Sequence, residues 1–133
     1  MLYLTEDTVE QAALEWLREL GYDTRFGPDI APGEPAAERA SYDEVLRSGR
    51  LRAALERINP ALPPDALDEA LRKLARAESA NPLVNNHAFH RLLTEGVDVT
   101  HRADGQLKHD KVWLVDFDDP GNNDWLAVNQ FTV

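Results

Sequence analysis

Apolar residues recur every three to four positions near the start of the chain, which predicts an amphipathic helix. Thr5 is suited to cap this helix, and Glu6 and Asp7 follow in the first turn, where the helix dipole favours negative charge. A glycine, Gly21, ends the helix. The predicted apolar face, centred near Val9, Ala13 and Leu20, is made of Val9, Ala12, Ala13, Trp16, Leu17 and Leu20.

Helical patterns dominate the middle of the chain after a short alternating strand at 22–26 and a Gly- and Pro-rich loop at 27–35. The first helix there opens with the capping box of Ser41 and Glu44 and is expected to be interrupted at Gly49. A second begins at Pro63-Pro64 and a third ends at Gly96. Their apolar positions are Val45, Leu46, Leu51, Ala54, Leu55 and Ile58, then Leu67, Ala70, Leu71, Leu74 and Ala77, then Val84, Ala88, Phe89, Leu92 and Leu93.

Strand patterns take over from residue 97. A strand over 97–102 leads into a hairpin turn at Ala103-Asp104-Gly105, and a return strand is predicted over 111–117. A last alternating segment runs from Asp124 to Val133 without turn residues after it. We therefore expect an α+β (mixed α/β) chain: one incomplete domain over 1–133, with a helical insertion at 36–96 and a truncated strand-rich segment at 97–133.

Composition narrows the classes of function. The net charge is −10, so the chain is not expected to bind nucleic acid by bulk electrostatics, and the acidity can simply aid solubility. The absence of cysteine excludes a disulfide framework and a thiolate metal site. Without a signal peptide or a membrane-length apolar run, we expect a cytoplasmic protein that does not associate with membranes.

Two clusters could bind a metal. Asp116 and Asp118 would project to one side of a strand and could share a divalent cation, but the following Asp119-Pro120-Gly121 also favours a solvated turn. His87 and His90 lie on neighbouring faces of a helix, yet a zinc site needs more ligands than this pair supplies. For the aspartate cluster, we favour the solvated turn. For the histidine pair, we favour a role in hydrogen bonding, in which His90 orients a loop. The chain therefore yields no predicted metal ligand.

Other residues are weighed in the same way. Trp16, Trp113 and Trp125 are interpreted as packing residues, since no Lys or Arg is interleaved with them as in a surface that stacks nucleic-acid bases. No Gly-rich phosphate loop is present, so the chain has no predicted ATP or other cofactor site. Glu10 is the remaining candidate, because it lies at the border of the apolar face beside Leu17 and could point toward the end of a strand.

Short blocks along nearly the whole chain, in the same order, resemble the start of the restriction (R) subunit of type I restriction-modification enzymes. The N-terminal blocks are Leu4-Thr5-Glu6, residues 10–17, Leu20-Gly21-Tyr22, residues 27–32, Glu38-Arg39, Ser41-Tyr42, residues 51–55 and Ile58-Asn59-Pro60. The C-terminal blocks are residues 86–93, Gly96-Val97, Asp116-Phe117-Asp118, Asn122-Asn123-Asp124 and residues 128–133.

The resemblance implies the N-terminal part of a PD-(D/E)xK-type endonuclease domain, a mixed sheet flanked by helices that uses Mg²⁺. It also implies ATP-driven motor domains elsewhere in the full-length subunit, cleavage of double-stranded foreign DNA after translocation, and association with modification and specificity subunits. The family's catalytic Asp and its Glu-x-Lys are expected beyond Val133, and Pro28-Asp29 is in the wrong context to replace them.

Of the family's active-site positions, only the helical acid maps onto this chain, and Glu10 is the residue chosen. The fragment alone is therefore expected to be inactive, since it lacks the metal site and the lysine that phosphodiester cleavage requires. The alternative is an acidic protein-interaction or DNA-mimic module without catalysis. The open last strand also predicts edge-to-edge pairing between copies.

Overall fold

The computed structural model describes residues 3–42, 48–76 and 79–132. Within these ranges the helices are α1 (Glu6–Glu19), α2 (Ser48–Ile58), α3 (Pro64–Ala75) and α4 (Pro82–Glu95), and the strands are β1 (Asp23–Phe26), β2 (Val97–Ala103), β3 (Gln106–Val112) and β4 (Leu126–Asn129). Short 3-10 helices occupy Gly27–Ile30 and Pro120–Asn122. The predicted α+β class is confirmed.

The chain divides into two compact units, one made of Met1–Arg47 with Asp124–Val133 and the other of Ser48–Asn123. Each holds a two-stranded sheet, so the single mixed sheet implied by the resemblance is not seen among the described residues. The predicted domain organisation, one domain with an insertion at 36–96, stays a prediction.

In the first unit, β1 and β4 pair in parallel, with Phe26 opposite Asn129. The backbone N–H of Asp23 extends the pairing by donating to the carbonyl of Trp125 at 2.8 Å, and the Trp125 ring lies 5.6 Å from that of Tyr22. Helix α1 packs against this sheet. As predicted, Thr5 caps α1, accepting a hydrogen bond from the backbone N–H of Thr8. Gly21 follows the helix with a φ of +97°, a left-handed conformation that glycine adopts readily.

The predicted apolar face of α1 is wrong at its centre, where Val9, Ala13 and Leu20 are exposed, although Ala12 and Leu17 of that face are half-buried. Leu14 is the buried residue of the helix, with Glu10 and Leu17 half-buried beside it, whereas Trp16 is 66% and Leu20 75% exposed. Positions 10, 14 and 17 lie on one side of the helix, and Glu10 on that side bonds to Asn129 of β4. Sequence periodicity cannot show where a sheet will pack. The prediction of a packed Trp16 fails for the same reason.

In the second unit, α3 packs on the antiparallel hairpin of β2 and β3. The helix buries Ala66, Leu67, Ala70 and Leu74, and the hairpin buries Val97, Val99 and Val112. The alternation of buried and exposed residues along β2 is that of a strand with one face on the core. Pro64 begins α3 as predicted. Helix α4 forms as predicted and ends at Gly96, but it has no buried residue.

Two boundaries in this unit correct the predictions. Gly49 lies inside α2, so no interruption occurs there within 48–58. The return strand covers 106–112 and not 111–117, because Asp104 and Gly105 form a two-residue turn with φ values of +54° and +75° that pairs Gln106 directly with Ala103. Beyond Val112, the backbone N–H of Trp113 donates to the side chain of Asn59 at 2.8 Å.

Some predictions fall outside the described residues. They concern Glu44, Val45 and Leu46 in the first middle helix, Ala77 in the second, and Val133 at the end of the last strand. Among the residues that are described, no helix has the length and apolar character needed to cross a bilayer.

Candidate active site

Glu10 accepts hydrogen bonds from two side-chain amides in the first unit. The Glu10 carboxylate accepts a hydrogen bond from the side-chain amide of Asn129, with Nδ2 at 2.7 Å from Oε1. The side-chain amide of Gln130 donates to the same carboxylate, with Nε2 at 3.1 Å from Oε1 and 3.0 Å from Oε2. The two amides come from residues about 120 positions away in sequence, so only the packing of α1 on β4 brings them to Glu10.

The carboxylate keeps some capacity for further contacts. A carboxylate offers about four lone-pair directions. The amides of Asn129 and Gln130 take two on Oε1 and one on Oε2. Glu10 is half-buried, and one lone-pair direction on Oε2 has no hydrogen-bond partner among the described residues. An oriented, partly desolvated carboxylate of this kind can accept a proton or help to hold a metal-bound water.

The turn after β4 is fixed from two sides. Gln130 has a φ of +53°, which is uncommon for a residue with a side chain. Gly27 approaches it so closely that a Cβ at position 27 would lie 2.1 Å from the Gln130 carbonyl oxygen. The buried Arg39 guanidinium lies 4.0 Å from the centre of the Phe131 ring and donates to the Thr132 carbonyl oxygen.

The residues around Asp116 form a turn, which is the favoured of the two sequence-based interpretations. Oδ1 of Asp116 accepts the backbone N–H groups of Asp118 at 3.1 Å and Asp119 at 2.9 Å, and Oδ2 accepts the Asn122 side-chain amide at 3.1 Å. These bonds, above all that from the backbone of Asp119, hold the pKa of Asp116 below its usual value. Asp116 and Asp118 therefore do not share one face of a strand, because the strand ends at Val112.

No metal centre is formed by the described part of the chain, where no group of three or more His, Asp or Glu side chains is placed to hold an ion. His87 and His90 stay a pair on α4 without the further ligands that zinc requires. The described residues alone therefore do not fit a Mg²⁺ site, and Glu10 could supply only one of its ligand groups.

Sequence reasoning missed a histidine–carboxylate pair in the second unit. The Nε2 atom of the buried His101 lies 2.7 Å from Oδ2 of Asp110 across the β2–β3 hairpin. Its Nδ1 atom is buried and has no hydrogen-bond partner among the described residues. The alternating pattern of β2 could have placed His101 on the buried face with Val97 and Val99, but the register that brings Asp110 to it follows from the turn.

Comparison with known proteins gives the family. Residues 3–133 match the family described as "Type I restriction enzyme R protein N terminus (HSDR_N)". The chain belongs to this family. The HSDR_N match confirms the resemblance drawn from the ordered sequence blocks, and it places α1, with Glu10, and the turn after β4 within one family segment.

Two relatives of this HSDR_N chain are much longer than it is. The chain is 35% identical over 130 residues to the type I restriction enzyme HindI endonuclease subunit of Haemophilus influenzae, covering 98% of the chain and 12% of that relative. It is 30% identical over 131 residues to a Methanocaldococcus jannaschii protein provisionally named the type I restriction enzyme MjaIXP endonuclease subunit, with the same two coverages. No solved structure matches the chain significantly. The chain thus spans about an eighth of the length of these relatives.

Proposed function

We propose that this chain is part of the endonuclease subunit of a type I restriction enzyme and that Glu10 is an acid of the nuclease active site. The observation that carries the proposal is the carboxylate of Glu10, held by the amides of Asn129 and Gln130 within a segment of the HSDR_N family. Two relatives that match across 98% of the chain are named endonuclease subunits of type I restriction enzymes.

The proposed reaction is the Mg²⁺-dependent hydrolysis of double-stranded DNA in the PD-(D/E)xK manner. When bound, Mg²⁺ would supply polarisation of the phosphate and a more nucleophilic water, with Glu10 as the one acid that these 133 residues would contribute. The contribution of Glu10 is to orient a water through the free direction on its carboxylate. The remaining ligands and the lysine are proposed to come from sequence outside these 133 residues, so the isolated chain is proposed to be inactive on DNA.

The full-length protein is proposed to hydrolyse ATP in separate motor domains and to cleave foreign DNA after translocation in the cytoplasm. Its proposed partners are the modification and specificity subunits. The net charge of −10 accords with a chain that leaves most of the grip on DNA to other parts of such an assembly. The alternative, an acidic interaction or DNA-mimic module, has only this charge in its favour, whereas the family and both relatives support the nuclease.

The experiment is Glu10→Ala, with Glu10→Gln as the isosteric variant, in the full-length protein assembled with its partner subunits. We expect Mg²⁺-dependent DNA cleavage to fall at least about 100-fold while ATP hydrolysis stays unchanged, because only the nuclease chemistry uses the carboxylate. Glu15→Ala is the matched control, since Glu15 is an exposed acid on the same helix. Wild-type cleavage by Glu10→Ala would remove Glu10 from the active site, and equal losses in Glu15→Ala would show a damaged helix instead.

A further inference from the structure

Two consecutive residues at the end of β4, Asn129 and Gln130, both donate side-chain hydrogen bonds to the Glu10 carboxylate. Asn129 is the last residue of the strand and Gln130 the first of the turn, yet both amides reach Glu10. Consecutive residues in a regular strand point to opposite faces, so they could not both do this. The left-handed φ of Gln130, +53°, marks the departure from strand geometry at the point where both amides converge.

The surroundings maintain this unusual turn. Gly27 follows β1 and has no side chain. The Gln130 carbonyl oxygen can therefore lie close to the Gly27 backbone, in space that a Cβ would occupy. On the other side, Arg39 donates to the carbonyl oxygen of Thr132 and stacks on Phe131. An uncommon backbone conformation persists only where its surroundings enforce it, and such conformations cluster at functional sites.

We propose that Asn129 and Gln130 are positioning residues that aim the Glu10 carboxylate, and that the turn is built to deliver their amides; this rests on the proposed role of Glu10. Amide donors to an ionised carboxylate make strong, directional hydrogen bonds. They fix the side-chain rotation of Glu10 and leave one direction on Oε2 for the reacting water. Neither amide contacts the reacting atoms, so both act through Glu10.

The test uses Asn129→Ala and Gln130→Ala in the full-length protein with its partner subunits. Outer partners of an active-site ligand usually contribute about 10- to 100-fold to activity. We expect kcat for DNA cleavage to fall by about that factor in each variant. The KM for DNA and the rate of ATP hydrolysis should stay within about two-fold. Gln11→Ala, an exposed amide next to Glu10 on α1, is the control and should cleave as wild type.

A reciprocal exchange tests whether Asn129 and Glu10 are paired in the folded protein. Asn129→Asp keeps the shape of the side chain but places a second carboxylate beside Glu10, so both the melting temperature and cleavage should fall. Combining it with Glu10→Gln restores an amide–carboxylate pair with the groups exchanged. We expect the double variant to recover the melting temperature and to remain inactive, because the acid is then in the wrong place.

The outcomes distinguish this inference from the proposed function. If Glu10→Ala abolishes cleavage while Asn129→Ala and Gln130→Ala leave kcat within about two-fold, the positioning role is overturned and the role of Glu10 stands. If the alanine variants lower ATP hydrolysis and melting temperature together with kcat, the amides are structural and the inference is also overturned. Wild-type cleavage by Glu10→Ala would instead overturn the proposed function itself.

Discussion

The two units of this chain are stabilised by different means. In Ser48–Asn123, α3 and the β2–β3 hairpin share a core in which Leu55, Val97 and Val112 are completely buried. The unit that contains Glu10 has few buried apolar side chains among its described residues. Trp16 and Leu20 on α1 are largely exposed to solvent. Hydrogen bonds of Glu10 and Arg39 to the turn after β4 connect its parts. The comparison shows that the candidate site depends on polar contacts more than on a large core.

The largest expected effect on the free energy of unfolding comes from replacing a buried leucine by alanine in each unit. Leu55→Ala should lower the free energy of unfolding by about 2–5 kcal/mol, because Leu55 is fully buried and a cavity remains. Leu14→Ala, at 8% exposure, should cost no more than about the lower end of that range. Hydrogen exchange in increasing urea measures the loss of stability that each substitution causes. A greater loss of protection from Leu14→Ala than from Leu55→Ala would contradict the comparison.

A buried polar residue in each unit gives an intermediate effect. Asn59 bonds to the carbonyl oxygens of Leu55 and Trp113, each at 2.9 Å, and also accepts the Trp113 N–H. Asn59→Ala should cost about 1–3 kcal/mol, because it removes both hydrogen bonds that the buried Asn59 side chain makes to the Trp113 backbone.

Arg39→Met should cost a similar free energy of unfolding and in addition speed hydrogen exchange in β4 and the residues after it, because Arg39 bonds to Thr132. A loss of stability without faster exchange at 126–132 would show that Arg39 does not hold this turn.

The smallest effect concerns the turn around Asp116. Its folded pKa is lowered by hydrogen bonds from the Asp119 backbone and the Asn122 side chain. The unfolded chain, with a pKa of about 3.9, therefore binds the proton more readily, and stability rises with pH in this window. The contribution is complete above about pH 4 to 5 and is lost as pH falls through the lowered pKa.

Thermal unfolding of the wild type and Asp116→Asn measures this contribution. The wild type should melt at a higher temperature at pH 7, and the gap should narrow as the pH falls below about 4. A gap that is independent of pH would mean that the charge of Asp116 is not what stabilises the turn.

Local signals in the sequence determined where many elements begin and end. Thr5, Pro64, Gly96 and the Asp104-Gly105 turn were all assigned correctly, because capping and turn preferences act over a few residues. The end of the return strand was misplaced, since Trp113 bonds to Asn59, 54 positions away, in place of a strand partner. The ordered sequence blocks were enough to indicate the family.

Glu10 was selected from its place on the helix and from the resemblance, but its surroundings were beyond sequence reasoning. Periodicity centred the apolar face of α1 on residues that are exposed, Val9, Ala13 and Leu20, because the side that is buried depends on where β1 and β4 lie. The amides of Asn129 and Gln130 were not predicted at all. A hydrogen bond over 119 residues and a left-handed turn held by Gly27 and Arg39 exist only once distant segments pack together, which no local pattern encodes.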